Sequence, residues 1–292
     1  MHLALHLRKI PEDQILPDIP GHLRSCYDDT GADFQHLCEA FSPVERVYVG
    51  DEFCPLRLPT TTQLAAFCRF SNERNLELTL LMPVLTDAGL DHCATLFERL
   101  AKCYPEAEVV ANDIGTILFL RKHHPGVHLS MGRLFNKGFK DPRLSLKDMT
   151  VTPEIKTLLS ESTFDQSAFG EVMARLNVKG LERDLLPHGE AVANSSMDYR
   201  TAYYFPFGYV TTGRVCRTAT FGKKAGCDFK MIQKCVKPCN DLSFRLKNDA
   251  VSLDLIQAGN TVFYRYPPSR LMGLVERAEE QHHRLIYQGF AI

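Results

Sequence analysis

Two short stretches decide the fold: residues 108–115, Glu-Val-Val-Ala-Asn-Asp-Ile-Gly, and residues 126–132, Gly-Val-His-Leu-Ser-Met-Gly. Each carries a short apolar run of strand length, and between them Asp113 opens the run Thr-Ile-Leu-Phe-Leu, which has helical length and an acid placed to cap it. A strand, a helix and a second strand in about 25 residues make a β-α-β unit, whose crossover forces the strands to lie parallel.

Outward from that unit the pattern repeats. Strands are expected over Leu3–Leu7, Arg46–Val49, Leu76–Pro83, Val109–Ala111, Val127–Ser130, Ala202–Tyr209 and Arg284–Tyr287. Helices are expected over Thr60–Glu73, Thr86–Cys103 and Asp113–Lys122. Repeated β-α units with neither a GxGxxG turn nor a GxxxxGK[ST] loop favour an α/β TIM-like barrel, incomplete or distorted, over a doubly wound sheet. Residues 1–215 read as the barrel-like part. Residues 216–292 read as a cysteine-rich cluster-binding segment and C-terminal elements that complete the same domain. From Gly138 to Ser167 the text is polar and less regular, as in a barrel insertion or linker.

Composition narrows the function classes. The chain has 292 residues, 45% hydrophobic and 24% charged, with 34 basic and 35 acidic side chains for a formal net charge of −1. Such a balance gives no support for nucleic-acid binding. The first residues lack the basic and long apolar regions of an export signal, and no stretch approaches the roughly 18 apolar residues that span a bilayer. A cytoplasmic protein is expected. Ten cysteines in a reducing compartment then point to metal ligation more than to disulfides.

Cys216, Cys227, Cys235 and Cys239 follow one another as C-x10-C-x7-C-x3-C in a Gly- and Lys-rich stretch. Lys223, Lys224, Lys230, Lys234 and Lys237 would favour thiolates there. Zinc sites pair ligands two to four residues apart on both sides, and only Cys235 and Cys239 satisfy this, so spacing favours an iron-sulfur centre. Cys26, Cys38, Cys68, Cys93 and Cys103 fall in helical text and read as ordinary thiols. Cys54 follows a strand end, in Gly50-Asp-Glu-Phe-Cys-Pro-Leu-Arg57, where a barrel carries its catalytic rim.

Several texts, in order along the chain, resemble the collagenase-like peptidase U-32 family, and within it the UbiV-like iron-sulfur proteins. They are Val47-Tyr-Val-Gly-Asp-Glu-Phe-Cys54 with Arg57, Val109-Val-Ala-Asn-Asp113-Ile-Gly115, His128-Leu-Ser130 with Asn136, and Phe207-Gly-Tyr-Val-Thr-Thr-Gly213-Arg-Val-Cys216. The resemblance implies a 4Fe-4S cluster held by Cys54, Cys216, Cys235 and Cys239. The chain departs from the pattern in a longer spacer, where Cys227 stands as an alternate ligand, and in Leu181–Tyr199, which matches only through Arg183 with Glu182 or Asp184.

The activity implied is that of an oxygen-independent hydroxylase subunit of the UbiU/UbiV type. It would act on a small molecule beside a second U-32 protein as a heterodimer, with prephenate as oxygen donor in at least some family reactions. A cluster-stabilised scaffold without its own activity is one alternative. A peptidase is another, although the sequence has no HExxH, no GxSxG and no cysteine with an evident histidine partner.

Glu52 and Asp113 stand at strand ends as candidate acid-base groups, with helix capping as the competing role. Arg57, Arg133 and Arg214 are candidates to bind a substrate carboxylate. His128 and Asn136 complete the candidate substrate-binding set. His123 and His124 close a helix before Pro125, where the helix dipole accounts for them.

Overall fold

The computed structural model describes residues 1–27, 31–39, 41, 43–142, 152–187, 199–221, 234–249, 251 and 253–289. Eight parallel strands close a barrel. In order around it they are β1 (His2–Leu7), β2 (Val44–Gly50), β3 (Glu77–Met82), β4 (Glu108–Ala111), β5 (His128–Met131), β6 (Gly180–Arg183), β7 (Arg200–Phe205) and, after four strands of a second sheet, β12 (Arg284–Tyr287), which pairs with β7 and β1. The fold is an α/β TIM-like barrel.

Sequence chemistry sets the helix starts. In α3 (Thr61–Glu73) the Thr60 side chain accepts from the Gln63 N–H while Gln63 reaches back to the Thr60 N–H, a reciprocal cap. Thr86 caps α4 (Asp87–Cys103), and Asp113 caps α5 (Ile114–His123). The expected helices match these three within a residue. Two helices not placed individually in the sequence, α1 (Ile19–Cys26) and α2 (Ala32–Glu39), link β1 to β2. The irregular stretch 138–167 contains a helix, α6 (Pro153–Ser160), capped by Thr152. It is followed by α7 (Ser167–Arg175).

The expected strand Ala202–Tyr209 is in fact two. Pro206 has no N–H for the ladder, and the chain leaves the barrel there. β8 (Phe207–Thr212) then opens an antiparallel sheet ordered β8, β11 (Thr261–Arg265), β10 (Leu255–Ala258) and β9 (Ser243–Leu246). After it α9 (Pro268–Glu280) leads into β12. The cysteine-rich segment therefore belongs to the connection that follows the seventh barrel strand, while Cys54 follows the second.

Ala4, Ile286 and Tyr204 are register partners across β1, β12 and β7, so they share one face. With Tyr48, Leu81, Val110 and Ala202 they form a buried cluster separate from the larger core between strands and helices. No helix is long and apolar enough to cross a membrane among the described residues.

Candidate functional site

The turn that carries Cys54 is built by its neighbours. Gly50 ends β2 at φ +101°, and a Cβ there would run into the Leu81 carbonyl. Asp51 then accepts the backbone N–H groups of Phe53 and Cys54, each at 2.8 Å, and pairs with Arg57 at 3.1 Å. Such an aspartate turn fixes where the next residues point. Burial opposes the Asp51 charge, but Arg57 and the Phe53 N–H hold its carboxyl below the usual range.

Cys216 follows β8 and leads into the short helix α8 (Arg217–Thr220), which the Thr218 hydroxyl ties to the Gly259 carbonyl at 3.0 Å. Cys235 accepts the Lys237 N–H at 3.2 Å. Lys237 is left-handed at φ 57° and starts the tight turn Pro238–Asn240, within which Cys239 is buried. The Cys239 carbonyl accepts from Arg8 at 2.8 Å. Asn260 holds the sheet over the rim by donating to the carbonyls of Phe53 and Gly213, each at 2.7 Å, and the Phe53 ring packs on Tyr209 and Phe263.

These pieces surround one cavity of about 430 Å³, lined by all four of Cys54, Cys216, Cys235 and Cys239, and also by Glu52, Arg57, Arg214 and Lys237. Burial, with Asp51 adding to it, pushes the Cys54 thiol up to about 12, and burial likewise raises Cys216. Thiols so placed release their protons to solvent only when a bound cation or nearby positive charge stabilises the thiolate. The nine described cysteines are free of disulfides. Among the described residues no group of three or more His, Cys, Asp or Glu side chains is gathered to hold a single metal ion. Cys227, Lys223, Lys224 and Lys230 lie outside the described residues.

Beneath the cavity stands a closed cage. Arg133, fully buried, donates to both Glu52 oxygens at 2.7 to 3.1 Å, to Asp184 at 2.9 Å and to Gln288 at 2.6 Å, with its guanidinium 3.6 Å from the Tyr204 ring centre. Lys140 reaches Asp184 at 3.4 Å and lies 3.4 Å from the Tyr209 ring centre. Burial drives the Lys140 ammonium down to about 8 against the pull of Asp184. Burial also raises the Glu52 carboxyl above the ordinary range, with Arg133 pulling the other way.

The remaining expected site residues separate. Arg57 and Arg214 line the cavity. Asn136 is buried and its Oδ1 has no partner among the described residues. Asp113 is a cap: it accepts from the Thr116 N–H at 2.7 Å, the Thr116 hydroxyl at 2.8 Å and the Leu85 N–H at 3.2 Å. His128 begins β5, at the opposite end of the barrel, half exposed and 3.7 Å from Glu106. Asp51, Arg8, Lys140 and Gln288 are site residues that sequence reading misses. Only Asp51 carries a local signal, an aspartate two residues ahead of backbone that must turn.

No family model and no curated protein matches this chain. Among solved structures, the chain is similar to the spore cortex-lytic enzyme SleL of Bacillus megaterium QM B1551, at 12% identity and TM-score 0.36 over 100% of this chain and 71% of that one. It is also similar to the chitinase ChiW of Paenibacillus sp. str. FPU-7, at 12% identity and TM-score 0.28 over 98% of this chain and 37% of that one.

Proposed function

We propose that this chain is an iron-sulfur protein of the peptidase U-32 type, a subunit of an oxygen-independent hydroxylase, with a 4Fe-4S cluster held by Cys54, Cys216, Cys235 and Cys239. One observation carries the reading: four cysteines from three separate segments, singled out by spacing and resemblance, line a single cavity at the barrel rim. A cluster bound there would supply one-electron transfer.

The chain's own residues have distinct tasks. Asp51 orients Cys54 through two backbone hydrogen bonds. Arg214 and Lys237 give the cavity positive groups suited to a carboxylated small molecule, for which prephenate is the proposed oxygen donor. Glu52 borders the same cavity, but Arg133 takes both its carboxylate oxygens, so it anchors the rim to the cage below. Asn260 ties the antiparallel sheet to the rim. We assign the protein to the cytoplasm, in keeping with its unpaired thiols, and a second U-32 chain as its partner.

Single Cys→Ala changes at 54, 216, 227, 235 and 239, each followed by anaerobic iron and sulfide analysis, test the ligand set. Loss of the cluster in the variants at 54, 216, 235 and 239 and retention at 227 is expected. Retention of full iron in any of those four removes that residue from the set.

A further inference from the structure

Two arginines approach the thiol cavity from different strands. Arg8 follows β1 and bonds the Cys239 carbonyl at 2.8 Å. Arg57 follows β2 and its side chain is only 9% exposed. One arm of Arg57, Nη1, pairs with Asp51 at 3.1 Å. The other, Nη2, is buried and has no hydrogen-bond partner among the described residues.

Gly259 shows where the guanidinium lies. It sits at φ +66° between β10 and β11, and a Cβ built on it would be 3.6 Å from Cys239 Sγ and 3.7 Å from Arg57 Nη1. Arginine and thiol thus flank the same glycine. Burial works against the Arg57 charge, but the Asp51 carboxylate outweighs it. A buried guanidinium N–H without an acceptor is costly to keep, and an anionic acceptor in the cavity would remove that cost. Its place across Gly259 from Cys239 Sγ puts the guanidinium on the thiol side of the cavity.

Resting on the cluster reading above, we propose that Arg57, whose guanidinium lies across Gly259 from Cys239 Sγ, sets the reduction potential of the thiolate-ligated cluster by its fixed positive charge, instead of binding a substrate carboxylate. In the titration, reduction adds one electron supplied by dithionite through the mediators and makes the group more negative, while the Arg57 proton stays on nitrogen. A fixed positive donor stabilises the reduced form more than the oxidised one and so raises the potential.

The test uses the full chain purified and reconstituted without oxygen, as wild type, Arg57→Gln and Arg57→Lys. Iron and sulfide content is measured first, then the midpoint potential by mediated titration followed by absorption and electron paramagnetic resonance. In Arg57→Gln we expect iron retained and the oxidised form favoured about tenfold more, a fall of about 59 mV for a one-electron couple. Arg57→Lys should fall between the two. A loaded Arg57→Gln protein with an unchanged potential overturns this role and leaves the cluster reading intact. If Arg57→Gln loses its iron, Arg57→Lys decides in the same way: a lowered potential supports the role and an unchanged one overturns it. A wild-type chain that takes up no iron and sulfide overturns the cluster reading, and this role with it.

Discussion

The two ends of the barrel both bury charge, and they do so differently. At the N-terminal end Glu108 is nearly saturated. It accepts from the hydroxyls of Ser130 and Thr79, lies 2.7 Å from Arg284 and 3.3 Å from Arg46, and Arg46 in turn pairs with Glu77. At the C-terminal rim the four cysteines share a cavity in which two thiols are raised by burial and Arg57 keeps an unmatched donor. A buried group whose partners are all protein is explained by folding, whereas leftover donors and protonated thiols around an open volume ask for a ligand. The contrast is not total, since a second cavity of about 310 Å³, at the N-terminal end, is lined by Glu182, whose Oε1 has no partner among the described residues while its other oxygen accepts from Tyr204 at 2.6 Å.

Three substitutions sharpen or break this contrast. The largest effect is expected from Arg133→Leu, which strands Glu52 in the cage between the two ends and leaves Asp184 to Lys140 and the Tyr209 N–H. Breaking a buried pair from one side costs about 4 kcal/mol, measurable as a shift of the urea midpoint at constant slope. A loss below about 1 kcal/mol would mean the cage relaxes.

Glu108→Gln comes next, with a cost of about 3 kcal/mol by the same logic. Its pH dependence adds a second check. Burial opposes the Glu108 charge, yet Arg284 and Arg46 hold the carboxyl down to about 2 from its ordinary value of 4.5. A carboxyl depressed on folding contributes stability that is full above 4.5 and is lost as pH falls through about 2, here roughly 3 kcal/mol. Wild type should show that acid limb in urea unfolding at successive pH values, and Glu108→Gln should show a shallower one.

The smallest effect is expected from Arg57→Gln in metal-free protein, about 1.5 kcal/mol, because Asp51 keeps its two backbone donors. A loss as large as that of Glu108→Gln would erase the distinction between the two ends.

The barrel was largely legible from periodicity and caps: 108–132 folds as the β-α-β unit its pattern indicates, and Thr60, Thr86 and Asp113 start the helices they were expected to start. What escaped has physical reasons. Gly180-Leu-Glu-Arg183 carries two charges in four residues and does not read as a strand, but it is fully buried because Glu182 takes the Tyr204 hydroxyl and Arg183 pairs with Asp165 at 2.8 Å. Ser243-Phe-Arg-Leu246 is short and half polar, an edge strand whose partner β10 supplies the order. The continuous aromatic run from 202 to 209 hides the break at Pro206.

At the site, spacing marked the thiols after residue 216, and resemblance added Cys54. The partners of Arg133 could not be read, because Glu52 and Asp184 lie 81 and 51 residues away in the chain. Arg8 and Gln288 escaped for the same reason: nothing local marks a residue whose role is set by contacts from the far end of the chain.

The central claim is that the rim cavity holds a thiolate-ligated iron-sulfur cluster. Anaerobic purification of the full chain, with iron, sulfide and zinc determined per chain alongside an absorption spectrum, tests it most directly. A coloured protein with about four irons and four sulfides per chain is expected, and a colourless protein carrying stoichiometric zinc would contradict the cluster.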